Sequence, residues 1–154
     1  LQAGAGFETM LQNAEIQFGY SLHTGIGINQ NKSSIEYFFL ISFLHFQERL
    51  IGDNKTSHIG GLDILREKNV FRTGIGLKYT FNNDLFIFPK VVFDFYQNHT
   101  GIVPAVVFGR QFIFSKKYSV IPGVFLGKFF PITSSNVKLD KFYIGLNVDV
   151  CYRN

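Results

Sequence analysis

The sequence predicts an all-β chain, an eight-stranded antiparallel up-and-down transmembrane β-barrel. Three observations predict it. Apolar residues alternate with polar or small ones in run after run, which is how a strand with one apolar face reads. Most runs are longer than the ~9–11 residues a tilted strand needs to cross a bilayer, whereas ordinary strands average about five or six. Short polar turns also alternate with longer connections, as they do in outer-membrane barrels.

The elements follow in order. Residues 1–11 put Ala3, Ala5, Phe7, Thr9 and Leu11 on one face and Gln2, Gly4, Gly6 and Glu8 on the other. Gln12 and Asn13 make a tight connection. Residues 15–30 alternate most cleanly, with Ile16, Phe18, Tyr20, Leu22, Thr24, Ile26 and Ile28 opposing Glu15, Gln17, Ser21, His23 and glycines. Residues 29–33 form a polar turn. The third strand, 34–48, is apolar on both faces in its middle, where Phe38, Leu40 and Leu44 oppose Tyr37, Phe39, Ile41 and Phe43. Residues 49–69 form the longest connection, broken by glycines and Asp53-Asn54; residues 59–65 are candidates to extend the next strand.

Residues 70–98 read as one hairpin. Phe71, Thr73, Ile75, Leu77, Tyr79 and Phe81 alternate with Arg72, Gly74, Gly76, Lys78 and Thr80. Asn82-Asn83-Asp84 supplies side chains that tolerate left-handed backbone. The return strand places Leu85, Ile87, Pro89, Val91, Phe93 and Phe95 opposite Lys90 and Asp94. After a loop at 98–101, strands at 102–114 and 118–130 flank a turn at 115–117. Pro104 and Pro122 lie inside those strands; each removes a ladder donor and predicts a bulge, an edge or a strand limit. Residues 131–140 form a polar loop. In the last strand, 141–153, Phe142, Ile144, Leu146, Val148, Val150 and Tyr152 oppose Tyr143, Asn147, Asp149 and Cys151. Eight strands put the short turns and both termini at one end and the longer loops at the other.

Composition agrees. At 154 residues the chain is expected to be one domain. Charged residues make up 17% of it, against roughly 25% in soluble domains. There are 19 Phe and no Trp, so a large aromatic area must meet a core or lipid. No apolar run reaches the length of a membrane-spanning helix; residues 37–46 come nearest. The single cysteine, Cys151, rules out an internal disulfide and a cysteine metal cluster. A net charge of +4 without a Lys/Arg-rich run gives no sign of a nucleic-acid partner.

If the apolar face meets lipid, the lumen holds the other set: Glu8, Glu15, Gln17, His23, Glu36, Arg72, Lys78, Lys90, Asp94, Asn147 and Asp149. An eight-stranded barrel has just enough interior for side chains to fill. Both charge signs occur, so buried charges can pair. Asp94 reads as the ion-pair partner of Lys78 or Lys90. Arg110 conflicts with this scheme, because alternation places it among Val106, Phe108, Phe112 and Phe114. A charge at mid-bilayer costs about 2–4 kcal/mol. A bulge near Gly109, or a register shift from Pro104, is therefore expected to turn it inward.

The strands GIGLKYTF and LFIFPKVVFDFY, the tight polar turns and the closing FYIGLNVDVCY give a chain that resembles the small outer-membrane barrels of the OmpA transmembrane domain and OmpX type. The resemblance is one of pattern and covers nearly the whole chain. It implies a monomer in the bacterial outer membrane, with lipid as partner and an extracellular ligand met through 49–69 and 131–140. The chain departs from the family in lacking Trp, so Tyr20, Tyr37, Tyr79, Tyr96 and Tyr118 must supply the aromatic girdles. It departs again where Arg153 and Asn154 follow Tyr152.

No catalytic set stands out. Lipid A deacylases of this architecture use His-x-Ser; this chain has the reverse, Ser21-x-His23, with Glu15 on the same face. That pair points inward and reads as a lumen hydrogen bond. His45, His58 and His99 lack zinc-ligand spacing. No glycine pair opens a helix, so no nucleotide loop is present. No cofactor or metal is expected. The reading is a non-enzymatic outer-membrane barrel, its lumen filled by polar and charged side chains, serving surface interaction, adhesion or envelope integrity. Two alternatives stay open: a lipid A-modifying enzyme, with a His and a Ser meeting on the outer wall, and a soluble lipocalin-like barrel around an apolar ligand.

Overall fold

A computed structural model describes residues 1–12, 15–29, 34–49, 65–96, 99–132 and 141–152. Alternation becomes strand throughout: β1 (Gln2–Gln12), β2 (Glu15–Asn29), β3 (Ile35–Arg49), β4 (Leu65–Thr80), β5 (Leu85–Tyr96), β6 (His99–Arg110), β7 (Phe112–Ile113), β8 (Tyr118–Pro131) and β9 (Lys141–Tyr152). Each strand pairs antiparallel with its sequence neighbour, except that β6 pairs with β8 and β1 pairs with β9. Those two pairings close the sheet. β7 continues the wall of β6, so the barrel has eight walls. The termini meet at the short-turn end, where Tyr152 donates its amide to the Leu1 carbonyl at 2.7 Å.

The strand limits differ from the sequence expectation in two places. Residues 65–69, expected in the connection, belong to β4 and pair with residues 45–49. β6 starts at His99 rather than Ile102. The loops at 49–69 and 98–101 are correspondingly shorter. Charged or glycine-rich segments hid the alternation there, and cross-strand pairing overrode it. The tight turn behaves as its composition demands. Asp84 takes φ of 63°, a left-handed conformation Asp tolerates.

Three prolines explain where the ladder breaks. Pro89 lies opposite a gap in the β4–β5 register, which runs to Gly76↔Lys90 and resumes at Tyr79↔Ile87. Pro104 lies in the gap between Ile102↔Phe130 and Ala105↔Gly127. Pro122 faces the break between β6 and β7, between Gly109↔Gly123 and Phe112↔Val120. A missing N–H removes one rung each time. None of these gaps shifts the register, because pairing resumes on the same diagonal.

Arg110 therefore does not turn inward. It stays exposed on the outer wall, its guanidinium 5.5 Å from the Phe112 ring, and Gln111 takes the lumen position beside it at 2% exposure. Because β6 stops at Arg110 instead of running on to residue 114, Arg110 sits at the strand's end, opposite Leu85 and level with the tight turn. A long side chain there can carry its charge into the interface at little cost.

Outward side chains form a mostly apolar wall, including Phe7 at 77% exposure, Ile75 at 65% and Leu146 at 64%, interrupted among the described residues by Arg110 at the short-turn end and by His45, Asn69 and Lys128 toward the other. Tyr37, Tyr79 and Tyr118 stand on this wall toward the short-turn end, and Tyr20 toward the other. The side chain of Tyr96 lies outside the described residues.

Candidate functional site

The lumen is where the sequence concentrates charge, and register decides which charges meet. Arg72 and Asp94 are direct cross-strand partners on β4 and β5. Arg72 Nε donates to Asp94 Oδ1 at 2.6 Å and Nη2 to Oδ2 at 3.0 Å, a two-pronged pairing of planar groups. Closure of the barrel brings β1 across the lumen, and Arg72 Nη1 donates to Glu8 Oε2 at 3.2 Å. The guanidinium lies 4.8 Å from the Tyr143 ring and 5.4 Å from Phe125. All three charged groups are almost fully buried. Asp94 is thus held by Arg72 rather than by Lys78 or Lys90; directly opposed residues outcompete diagonal ones.

Lys78 has its own partner. It is the cross-strand neighbour of Glu36, and its ammonium lies 2.6 Å from Glu36 Oε2. It also donates to Gln111 Oε1 at 3.4 Å, and Gln111 Nε2 donates to Ser119 Oγ at 3.1 Å. Gln111 and Ser119 had no place in the sequence reading. Lys90 lies 4.6 Å from the Phe125 ring, which thus faces two cations. His23 pairs with Asp149 across β1, not with Ser21, which is buried beside it on the same face. Gln17 and Asn147 are buried in the lumen wall. Glu15 opens β2 opposite Gln12; its side chain lies outside the described residues.

The lumen also carries an apolar half that alternation alone did not announce. Phe38, Leu40, Leu44 and Phe46 of β3 pack inward with Val70, Phe86, Phe88, Val92, Val107, Phe125 and Phe129. The filling is tight enough to require glycine. A Cβ on Gly4 would lie 2.0 Å from Asp149 Oδ1 and 2.8 Å from His23 Nε2, and one on Gly76 would lie 2.4 Å from Phe88. Toward the long-loop end, the void bounded by Met10, Phe46, Lys68, Lys141 and Tyr143 is only about 10 Å³, at or below the room one water needs. Toward the short-turn end the lumen opens into a vestibule of about 730 Å³, lined by Asn29, Glu36, Phe38, Asn82, Gln111 and Cys151 among others.

The enzyme alternative asked for a His and a Ser together on the outer wall. His45 does face outward, but it meets Asn69 at 2.8 Å and the Tyr20 ring at 5.1 Å. Among the described residues no serine faces out beside it. Among them, too, no group of three His, Cys, Asp or Glu side chains could hold a metal ion. The loop residues 50–64 and 133–140 lie outside the described residues, His58 among them.

A closed eight-walled barrel, apolar outside and packed with paired charges and aromatics inside, defines a transmembrane β-barrel of the small outer-membrane kind. Solved structures parallel the chain in fold. It is similar to Neisserial surface protein A, with a TM-score of 0.62 and 13% identity over 97% of this chain and 94% of that one. It is similar also to Ail, the attachment invasion locus protein of Yersinia pestis, with a TM-score of 0.52 and 12% identity over 99% and 95% of the two chains. Ail in complex with the heparin analogue sucrose octasulfate gives 0.52 at 10% identity, over 99% and 96%. Identities this low carry the fold alone. No protein-family model and no curated protein sequence matches the chain.

Proposed function

We propose that the chain is a non-enzymatic barrel of the bacterial outer membrane that acts at its long-loop end, in surface contact, adhesion or envelope integrity. The observation that carries this reading is the void of about 10 Å³ beyond the Arg72–Asp94–Glu8 cluster. Filling of the lumen at that level, among the described residues, supports a barrel without a solute path, and an apolar wall leaves the ends of the barrel to meet aqueous partners. Residues 50–64 and 132–140 are the longest connections at the end away from the termini. The soluble alternative would need charge on the outside, whereas the described outer face is mostly apolar and the paired charges lie inside.

The likeness to Ail supports attachment as the class of role, and its complex with a heparin analogue makes a sulfated polysaccharide the first probe. Two experiments test the reading. In planar bilayers the folded barrel should insert without steady conductance steps; reproducible open channels would overturn the filled lumen. Folded barrel should bind immobilised heparin or whole host cells. A variant with residues 50–64 replaced by a short Gly-Ser linker should lose that binding while keeping its fold. Equal binding by both proteins, or by neither, would overturn a role for that loop.

A further inference from the structure

The described outer wall carries a polar row that neither the packing of the lumen nor the closure of the barrel uses. Tyr20, His45 and Asn69 stand in one cross-strand row over β2, β3 and β4, by the registers Tyr20↔His45 and His45↔Asn69. All three point outward: Tyr20 is 49% exposed, Asn69 is exposed, and His45 is half-buried between them. Elsewhere on the described wall, threonine hydroxyls bond to backbone carbonyls, Thr24 to Gln2 and Thr73 to Leu40. The Tyr20 row is different, because its polar atoms bond each other and leave more free. His45 Nδ1 donates to Asn69 Oδ1 at 2.8 Å. The second ring nitrogen, Nε2, and the Asn69 amide N–H donors point away from this contact and are left to meet a ligand. The Tyr20 ring lies against the imidazole, centroids 5.1 Å apart, and its hydroxyl adds a group that both donates and accepts.

Depth says what could meet them. From Tyr37 to His45 along β3 is eight residues, about 20 Å along the barrel axis at ~3.3 Å per residue and a tilt near 40°. That is close to the apolar band of about 25 Å that such barrels present. The row therefore lies in the upper part of that band, near the headgroups of the long-loop leaflet, which in bacterial barrels is the outer one. An aromatic ring beside neutral donors and acceptors, with no charged side chain in the row, suits sugar hydroxyls better than a bare anion. We infer that Tyr20, His45 and Asn69 form a binding site for the saccharide headgroup of an outer-leaflet glycolipid. The inference rests on the outer wall being lipid-facing.

The test is lipid retention. Folded barrel is placed in nanodiscs of phosphatidylcholine containing equal amounts of lipid A, as the glycolipid, and phosphatidylglycerol, as an anionic lipid without sugar. Lipids that stay bound on release are counted by native mass spectrometry. The wild type should retain lipid A over phosphatidylglycerol by about three- to tenfold, the effect of one or two neutral hydrogen bonds. His45→Leu and Asn69→Leu keep the wall apolar, and each should abolish that preference. Arg110→Gln, at the opposite end, should leave it unchanged. Equal retention of the two lipids by the wild type would overturn the site, as would a preference that both variants keep. A barrel that fails to enter pure phosphatidylcholine bilayers would instead overturn the lipid-facing wall, and the site with it.

Discussion

The two faces of the same strands obey different rules. On β4 the outer set, Phe71, Thr73, Ile75, Leu77 and Tyr79, changes little in character from end to end, while the inner set runs Lys68, Val70, Arg72, Gly74, Gly76, Lys78. Lipid asks the same thing of every outward position at a given depth, so the outer wall tolerates exchange among apolar residues. The lumen asks something particular of each inward position. Arg72 must find Asp94, Lys78 must find Glu36, and glycines must leave space where long side chains cross. Substitutions should thus cost most where the inner face loses a partner and least where the outer face meets the interface.

The largest effect should come from Arg72→Ala. It strands two buried carboxylates, Asp94 and Glu8, and should lower the free energy of folding by about 3–5 kcal/mol, the cost of breaking a buried pair. Denaturant titration in vesicles would measure it. A loss under about 1 kcal/mol would mean that water reaches the cluster and that the lumen is not dry. The second effect tests the outer face at its middle. Ile75→Arg should cost about 2–4 kcal/mol in the same titration, although Ile75 touches little protein. A third variant compares neighbours on the two faces of β1. Gly4→Ala drives a methyl toward Asp149 and His23 and should cost about 1–3 kcal/mol. Ala5→Val, on the outer face, should be within about 0.5 kcal/mol of neutral. The smallest effect should be that of Arg110→Gln, within about 1 kcal/mol, because that position is interfacial. A large loss there would place Arg110 deeper in the bilayer than the register allows.

The same contrast explains how much could be read from the chain. The outer wall was legible because a period of two needs no knowledge of neighbours. The Arg72–Asp94 pair was also legible in principle: a hairpin turning at Asn82-Asn83-Asp84 sets residues 72 and 94 equally far from its centre. Glu36–Lys78 was not, because the long connection between β3 and β4 hides their register. Nor were Glu8–Arg72 and His23–Asp149, which depend on closure of the barrel. The apolar half of the lumen left a partial signal in β3, where residues 38–46 are apolar on both faces. Arg110 reads as mid-membrane when one strand is drawn over 102–114, whereas β6 ends at Arg110 itself and leaves it at the rim. Among the candidate polar groups, the Tyr20–His45–Asn69 row escaped notice because its members lie 25 and 24 residues apart, on three strands.

The central claim is that lipid meets the outer wall and that water does not pass through the lumen beyond the Arg72–Asp94–Glu8 cluster. The absence of tryptophan makes it directly testable, since any introduced indole is the only one. Leu146→Trp places it on the outer wall and Phe125→Trp in the lumen, where Phe125 has no exposure. In vesicles, brominated acyl chains should quench the first strongly and the second not at all, and aqueous acrylamide should quench neither. Acrylamide quenching at Leu146 without bromine quenching would contradict a lipid-facing wall, and acrylamide quenching at Phe125 would contradict a filled lumen.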